Sequence, residues 1–293
     1  MTAAETLTLD GMLDAFGTAG RVLPRAALEQ AAKRWPEVSP PLLALLAADA
    51  AGVYRSDRTS RILFFGIYLM AQVCETRAFR TICTIAADGE RMTRLIGDGV
   101  TEDLACILAR VYDGDQAPLR RLIESPGADQ YARDAGIKAL AWLTATSRID
   151  RDETAQYLRE LFTSLRPQAT SFVWVGWQHA VACLALGELV PVVEEAFERG
   201  WIDRRPANFH RDLLAARQAG SANGGVRAAR SEPRPPRRRR RSPVALGRLQ
   251  AGREARAATG DRPSAATERP TRQRTRPRRG SQRSLPLRQR KEI

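Results

Sequence analysis

The chain has 293 residues and a formal net charge of +14, and that charge is very unevenly distributed. Residues 1–217 hold 25 basic and 28 acidic side chains, a net of −3, whereas residues 218–293 hold 22 basic and 5 acidic ones, a net of +17. Residues 1–217 are therefore not basic overall, and a surface that binds polyanions is expected only in residues 218–293. The first 217 residues, rich in Leu, Ala and Ile, are enough for a substantial core.

The amino-terminal region shows no targeting or membrane segment. Residues 1–16 read MTAAETLTLDGMLDAF, which has no basic residue and carries acids where a signal peptide would be apolar. The longest apolar run, ILFFGIYLMA at 62–71, is about half of what a bilayer span needs. We therefore expect a cytoplasmic protein with no membrane partner.

Helical periodicity runs through nearly all of the body, and no long stretch alternates with a period of two. The first clear elements are an apolar helix over 58–74 and a second helix over 76–87. This pattern predicts an all-α fold.

The segment GDGVTEDLACILARVYDGD at 97–115 resembles a chemical site more than any other, because five acidic side chains fall within nineteen positions. Its apolar residues recur at the spacing of one helix face that packs on a core: Leu104, Ile107, Leu108, Val111 and Tyr112. The spacing of these acidic residues does not match the ligand pattern of an EF-hand, which argues against a metal site. We interpret the acids as helix-terminating and helix-starting residues, with Asp98 alone lacking such a role.

The ends of this helix carry ordinary capping signals. Thr101 is predicted as the N-cap, followed by Glu102 and Asp103 in the first turn, where carboxylates favour the helix dipole. Arg110 falls in the last turn, where a cation is favoured. A turn is predicted at 113–115. Its last residue, Asp115, is predicted to cap the next helix, and Pro118 falls in the first turn of that helix.

Four more helices are predicted over 129–143, 149–162, 172–186 and 188–199. Asp150 and Glu153 stand at capping-box spacing at the start of the second of these. The first has a stripe of small side chains that lets a neighbouring helix approach closely: Ala132, Ala135, Gly136 and Ala139. Short helices joined by short turns, with about thirty to forty residues per pair, are typical of a HEAT-like α-solenoid of antiparallel helix pairs. This inference depends on element lengths, since no repeated sequence accompanies it.

The cysteines form no metal or disulfide framework. Cys74, Cys83, Cys106 and Cys183 are far apart, with no CxxC, and each lies in an apolar helical pattern, so we predict buried reduced thiols. His179 precedes Cys183 by four residues, a spacing that two metal ligands on one helix face could use. Its surroundings, FVWVGWQHAVACLAL, favour a core or packed-interface histidine instead. No further ligand pair completes a tetrahedral site, and no cofactor is predicted.

No catalytic residue is predicted from motifs. The chain has no GxSxG elbow, no P-loop and no strand followed by GxGxxG. His210 has no partner that the sequence identifies. Trp174 and Trp177 could belong to a partner-binding patch, but a helical aromatic stripe is more typical of a core.

The last quarter is predicted to be a disordered Arg/Pro-rich tail over 218–293, preceded by the helical domain over 1–217. It has no Phe, Trp, Tyr or Cys, and GSANGG at 220–225 is typical of a flexible linker. Its densest basic run is a candidate for non-specific phosphate contact: Arg237, Arg238, Arg239, Arg240 and Arg241. A competing interpretation is a frameshifted extension, because 44 Arg against three Lys indicates a GC-rich gene, whose codons read out of frame give the same composition.

Several stretches together resemble an uncharacterised bacterial family, domain of unknown function eleven-eighty-six. They are RILFFGIYLMAQVCETRAF, IGDGVTEDLACILARVYDGD, LRRLIESPGADQYARDAGIKAL and AFERGWID, within about residues 35–210. The most specific positions are Gly97, Asp98, Thr101, Glu102, Asp103, Asp113, Gly114 and Asp115. The resemblance implies a HEAT-like helical domain without an assigned activity. Many members also carry a carboxy-terminal Cys-rich zinc-binding SEC-C motif, whereas this chain has no Cys after Cys183.

Three functions follow as hypotheses. The preferred one is a non-enzymatic helical scaffold that binds an unidentified protein partner. The alternative is a nucleic-acid-associated protein tethered non-specifically by its tail. The least favoured is an enzyme or metal protein that uses the carboxylates between Asp98 and Asp115.

Overall fold

A computed structural model describes residues 6–20, 22–53, 56–203 and 209–223. Helices account for all of the regular structure in these ranges, and no strand occurs in them, which confirms the predicted all-α class. The described residues belong to one unit, Met1–Arg253, while a second unit, Glu254–Ile293, lies outside them. None of the helices in the described part of the chain combines the length and apolar character needed to cross a bilayer.

Fourteen α-helices occur in the described ranges. In chain order they are α1 (Leu9–Gly17), α2 (Arg25–Lys33), α3 (Trp35–Ala50), α4 (Asp57–Val73), α5 (Phe79–Ala86), α6 (Gly89–Ile96), α7 (Gly99–Glu102), α8 (Leu104–Val111), α9 (Ala117–Glu124), α10 (Gln130–Ala145), α11 (Arg151–Ser164), α12 (Phe172–Cys183), α13 (Val190–Glu198) and α14 (Phe209–Asn223). Two 3-10 turns, Thr76–Ala78 and Gly187–Leu189, lead directly into α5 and α13. The predicted helices over 76–87 and 188–199 therefore each begin with a tighter turn.

Side-chain N-caps explain where several helices begin, because an oxygen accepts a backbone N–H that the helix leaves unpaired. The capping residues are Thr8, Ser56, Asp88, Asp129 and Asp150. Asp150 Oδ1 accepts from the Glu153 N–H at 2.9 Å, as predicted. The second half of the predicted capping box is absent, because the Glu153 carboxylate instead accepts from Gln116 and Arg120.

Six helices follow one another as packed neighbours. Helix α1 packs on α4, α4 on α8, α8 on α10, α10 on α12, and α12 on α14. Shorter helices pack beside them, with α3 on α5 and α5 on α9. The buried apolar side chains between these helices form one continuous cluster that extends from Met12 to Leu213.

Four arginines donate to backbone carbonyls near the carboxyl ends of helices that come earlier in the chain, where carbonyls lack helical partners. The bonds are Arg61 to Gly17 O at 3.4 Å, Arg91 to Ala50 O at 2.8 Å, Arg110 to Ala71 O at 2.6 Å, and Arg148 to Ala109 O at 2.8 Å. The donors follow their acceptors by 44, 41, 39 and 39 residues. Arg110 lies in the last turn of α8, as predicted, and its guanidinium in addition contacts the end of α4.

Close approach of helices occurs at small residues, as predicted for α10. A Cβ added at Gly136 would lie 3.0 Å from Ile123 Cγ1 on α9, so a larger residue would push the helices apart. On the other side of α10, a Cβ added at Gly176 of α12 would lie only 2.1 Å from Asp134 Oδ1. The α10–α12 contact therefore depends on a glycine that the sequence analysis did not single out.

Glu75 joins α3 to the turn before α5 through a nearly buried carboxylate. It accepts from Arg77 Nε and Nη2, both at 2.7 Å, and from Trp35 Nε1 at 2.9 Å. Arg77 Nη2 also donates to Ser39 at 3.1 Å. The hydrogen bonds from Arg77, and next the one from Trp35, lower the pKa of Glu75 to about 2 against the opposing effect of burial.

We expect Glu75→Gln to lower the free energy of unfolding at pH 7 by about 1–2 kcal/mol, a value kept modest because Arg77 is exposed. Since the folded pKa of Glu75 lies below its unfolded value, the carboxylate stabilises the fold above about pH 5 and loses that effect as the pH falls towards 2. Urea unfolding at pH 7, 4 and 2.5 should show the difference between the two proteins shrinking with acidity. A difference that stays constant over this range would contradict the assignment.

Helix α14 overlaps the segment 220–225 that the sequence predicts to be a linker. Helix α14 continues to Asn223, past the predicted domain boundary at 217, and it includes the first four residues of the predicted linker at 220–225. The linker prediction is therefore wrong for 220–223. The remaining tail, including Arg237–Arg241, lies outside the described residues.

Candidate functional site

Three carboxylates of the acidic segment 97–115 have partners on other helices, and two of them share Arg80. Asp113 Oδ2 accepts from Arg80 Nε at 3.0 Å, and Asp115 Oδ2 lies 2.8 Å from Arg80 Nη2. The other oxygen of Asp115 accepts the Ala117 N–H at 2.9 Å, but the N-cap of α9 is Gln116, so the predicted cap lies one residue too early. Pro118 lies in the first turn of α9, as predicted. The Arg80 pairs bridge α5 to the turn before α9.

The start of α8 differs from the sequence prediction. Thr101 is not an N-cap, because it lies inside the short helix α7 and its hydroxyl donates to Asp98 O at 2.9 Å. The Asp103 carboxylate points to α4 and accepts from the Tyr68 hydroxyl at 2.7 Å. The predicted apolar stripe of α8 is confirmed as buried.

Asp113 and Asp115 converge on one cation, Arg80, whereas Asp103 contacts Tyr68 of α4. Within the described ranges, no group of three or more His, Cys, Asp or Glu side chains is placed to hold a metal ion. The acidic segment therefore offers helix contacts and ion pairs, and the interpretation of its acids as structural residues is supported by each named partner.

An exposed aromatic surface lies on α10 and the start of α12, and we call it the α10 surface: Tyr131, Lys138, Trp142 and Phe172. The Trp142 side chain is 50% exposed and that of Tyr131 is 37% exposed. Residues 131, 138 and 142 share one helix face. Phe172 packs on Tyr131 with a ring separation of 4.9 Å, and Lys138 Nζ lies 5.9 Å from the Phe172 ring.

Two charged residues of α10 are buried. Asp134 is 2% exposed and its Oδ2 pairs with Lys138 Nζ at 2.6 Å. Burial raises the pKa of Asp134, while the charges of Lys138 and His179 oppose that effect. Arg133 is equally buried, and its Nε donates to Ile123 O at 2.8 Å.

His179 and Cys183 do not lie in the core. The His179 side chain is 40% exposed and lies beside Asp212 of α14, which fits the packed-interface alternative and not the core one. Cys183 is exposed, so the prediction of a buried thiol is wrong here. Their atoms Nε2 and Sγ are 3.2 Å apart, and Asp212 Oδ2 of α14 lies 3.7 Å from His179 Nδ1. Cys74 and Cys106 are also exposed, and only Cys83 is buried as predicted.

The described ranges also contain shallow clefts. A wide cleft of about 870 Å³ lies between the turns around Asp88 and Asp129. A second, of about 440 Å³, lies between α13 and α14 and is lined by Val190, Leu213 and His210.

The predicted core assignment of Trp174 and Trp177 is confirmed, since both are fully buried.

The comparisons with known proteins decide the family. A family model described as "Protein of unknown function (DUF1186)" matches residues 7–208. The chain belongs to this family. This confirms the resemblance drawn from the sequence and extends it towards the amino terminus.

Relatives within the family are themselves uncharacterised. The chain is 31% identical over 201 residues to an uncharacterised protein of Chlamydia trachomatis, covering 68% of this chain and 80% of that protein. It is 32% identical over 186 residues to an uncharacterised protein of Chlamydia muridarum, covering 62% of this chain and 74% of that protein. No solved structure matches the chain.

Proposed function

We propose that the helical region is a HEAT-like α-solenoid that acts in the cytoplasm as a non-enzymatic scaffold and binds a protein partner through the α10 surface. The proposal has two parts, a repeat architecture and an exposed aromatic interface. The observation that carries the binding function is the half-exposed Trp142.

The hydrogen bonds between helices support the repeat architecture. In a solenoid each unit contacts only its neighbours, so tertiary contacts join residues about one repeat apart. Gln130 Oε1 accepts the Phe172 N–H 42 residues later, Trp35 reaches Glu75 at 40, and Tyr68 reaches Asp103 at 35. Together with the arginine bonds at 39 to 44, these contacts agree with a repeat of about forty residues.

The α10 surface supports a protein-binding function on physical grounds. Tryptophan and tyrosine contribute most strongly to protein interfaces, because they bury a large area and lose little conformational entropy. Lys138 lies one turn from Trp142 on the same face of α10, and the second exposed aromatic, Tyr131, lies about 16 Å further along that face. The exposed part of the Trp142 indole is apolar and in contact with water. A partner that covered it would gain the free energy of removing that apolar area from water.

We expect Trp142→Ala to weaken partner binding by about tenfold or more, as hot-spot tryptophans do, while leaving the fold intact. Tagged full-length protein, Trp142→Ala and the matched exposed control Val53→Ala would be used to capture proteins from the native extract, with quantitative mass spectrometry as the measurement. A specific protein should be recovered with the original chain and with Val53→Ala, but lost with Trp142→Ala. Equal recovery by all three chains would contradict the proposed surface.

We also propose, as the second candidate, that the tail attaches the protein non-specifically to nucleic acid. The net charge of +17 beyond residue 217 supports this, and Arg237–Arg241 are its densest run. The absence of aromatic residues in the tail favours phosphate contact over base stacking.

If five arginines each neutralise one phosphate, we expect duplex DNA affinity to fall by about 500-fold between 50 and 200 mM salt. Fluorescence anisotropy with a labelled duplex would compare the full chain with a chain that ends at Asn223. Binding should disappear in the shorter chain. Equal binding by both would show that the tail is not the contact.

A further inference from the structure

Two exposed arginines, Arg110 and Arg148, are bound by backbone carbonyls and not by carboxylates. Arg110 donates two hydrogen bonds, at 2.6 and 2.9 Å, to carbonyls in the last turn of α4. Arg148 likewise donates two, at 2.8 and 3.0 Å, to Ala109 O and Tyr112 O at the end of α8. Since a guanidinium carries more N–H donors than these two, each arginine can bind a further acceptor.

The charges of these two arginines are not compensated locally. Arg148 packs on the Tyr112 ring at 5.2 Å from its centre. The carboxylates whose charges act on that tyrosine are already paired with arginines of α5 and α9: Asp113, Asp115 and Glu153. Within the described ranges no carboxylate pairs with Arg110 or Arg148, whereas Lys138 of the α10 surface is paired with Asp134. An acidic group from outside would therefore find two cations without a counter-charge.

The two guanidinium groups and Trp142 lie on successive helices. Arg110 binds Ala71 O of α4 and Arg148 binds Ala109 O of α8, each 39 residues earlier in the chain. Helices α4 and α8 are packed neighbours, and α10, which carries Trp142 near its end, packs on α8 in turn. Because the axes of packed helices lie about 8–10 Å apart, each step from one group to the next covers about that distance.

We propose that the partner bound at the α10 surface is an acidic segment in an extended polyproline II conformation. Two of its carboxylates, three residues apart, bind Arg110 and Arg148, and an apolar side chain three residues further covers Trp142. A polyproline II chain has three residues per turn and rises about 3.1 Å per residue, so every third side chain points the same way at intervals of about 9 Å. This assignment rests on the protein-binding function proposed above, and it adds the chemistry of the partner.

Charge and hydrogen-bond geometry favour a short acidic peptide over a nucleic acid at this position. Residues 1–217 carry a net charge of −3, so a long polyanion would meet repulsion from the rest of the helical region. A short segment experiences mainly the local charges, because salt screens more distant ones beyond about 8 Å. Arginine binds a carboxylate through two parallel hydrogen bonds, which fixes the acidic group in place.

Selection from a random peptide library displayed on phage tests this chemistry. The library is first depleted on Trp142→Ala, which retains the basic tail, and is then selected on the full original chain. We expect the enriched peptides to carry Asp or Glu at two positions three residues apart and an apolar residue three positions further, in either chain direction. Peptides that the tail binds are removed in the depletion step.

Fluorescence anisotropy with a labelled synthetic peptide of the enriched pattern then measures affinity. Arg110→Gln and Arg148→Gln should each weaken binding by about tenfold, and raised salt should weaken it further. Arg110→Glu should recover binding to a peptide that has Lys in place of one acidic residue, a rescue that a purely structural arginine would not give. The matched control is Arg166→Gln, because Arg166 is also exposed and donates to backbone carbonyls, at the end of α11. This variant should bind like the original chain.

The possible outcomes separate the partner chemistry from the scaffold function. Enrichment of basic or neutral peptides would overturn the acidic partner and leave the α10 surface as an interface, whereas no enrichment at all would contradict both. Unchanged affinity in Arg110→Gln and Arg148→Gln would overturn the two contacts. If these variants instead lose affinity for single-stranded DNA, the arginines bind phosphates and the peptide assignment is wrong. Urea midpoints of all variants show that each is folded.

Discussion

Gly176→Ala is expected to lower the free energy of unfolding by about 3 kcal/mol, although alanine is the better helix former by about 1 kcal/mol. The added Cβ would lie 2.1 Å from Asp134 Oδ1 and 3.0 Å from Asp134 Cγ, far inside contact distance. Asp134 has little room to move, because it is buried and its other oxygen pairs with Lys138. The helices α10 and α12 would have to separate, which loosens the core on both sides of the contact.

Urea unfolding followed by circular dichroism measures this loss. Gly127→Ala is the matched control, since a Cβ there meets nothing within 4 Å, and its unfolding free energy should change by less than about 1 kcal/mol. The double variant Gly176→Ala with Asp134→Ala removes the clashing carboxylate, so the two losses should not add. An additive result would mean that the Asp134 contact is not the cause.

The sequence predicts the helices well where their apolar periodicity is strong and their caps are local. The face of α8 and the Asp150 cap are of this kind, because both depend on residues within one or two turns. Thr101 shows the limit of this reasoning. The sequence offered Thr101 as an N-cap. In the structure the nearby Asp103 carboxylate accepts a hydrogen bond from Tyr68 of α4, a contact that spans 35 residues.

The exposed pair His179 and Cys183 could not be placed from its surroundings. Its neighbours in sequence are apolar and mostly buried, which favours a core position. Helix α12 turns these two residues outward beside α14, and the identity of that neighbour depends on the order of helix packing. The one available signal was the four-residue spacing, which also fits two unrelated residues on one helix face. Arg110 gave a similarly local signal, yet its partners on α4 lie 38 and 39 residues earlier.

Trp177→Ala is expected to cost about 4 kcal/mol of unfolding free energy, the largest loss of any single change considered, because it removes a fully buried indole. The ring stacks on Phe162 at 6.0 Å and packs edge-on against Trp174 at 5.4 Å. Its Nε1 donates to Leu158 O of α11 at 2.8 Å, so the variant also loses a buried hydrogen bond between α12 and α11. Trp177→Phe restores most of the apolar volume but not the hydrogen bond, and it should lose about 1–2 kcal/mol.

Comparing Trp177→Ala with Trp142→Ala separates the two uses of tryptophan in this chain. Trp142 is half exposed, so its removal should lower the unfolding free energy by less than about 1 kcal/mol while partner capture is lost. Trp177 supports the contact between α11 and α12, so its removal should lower the urea midpoint strongly. A loss of partner capture by this variant would then report unfolding. If Trp142→Ala destabilises the protein as much as Trp177→Ala does, Trp142 is a packing residue and the α10 surface is not an interface. Measuring both midpoints first therefore determines whether a loss of partner capture reports recognition or unfolding.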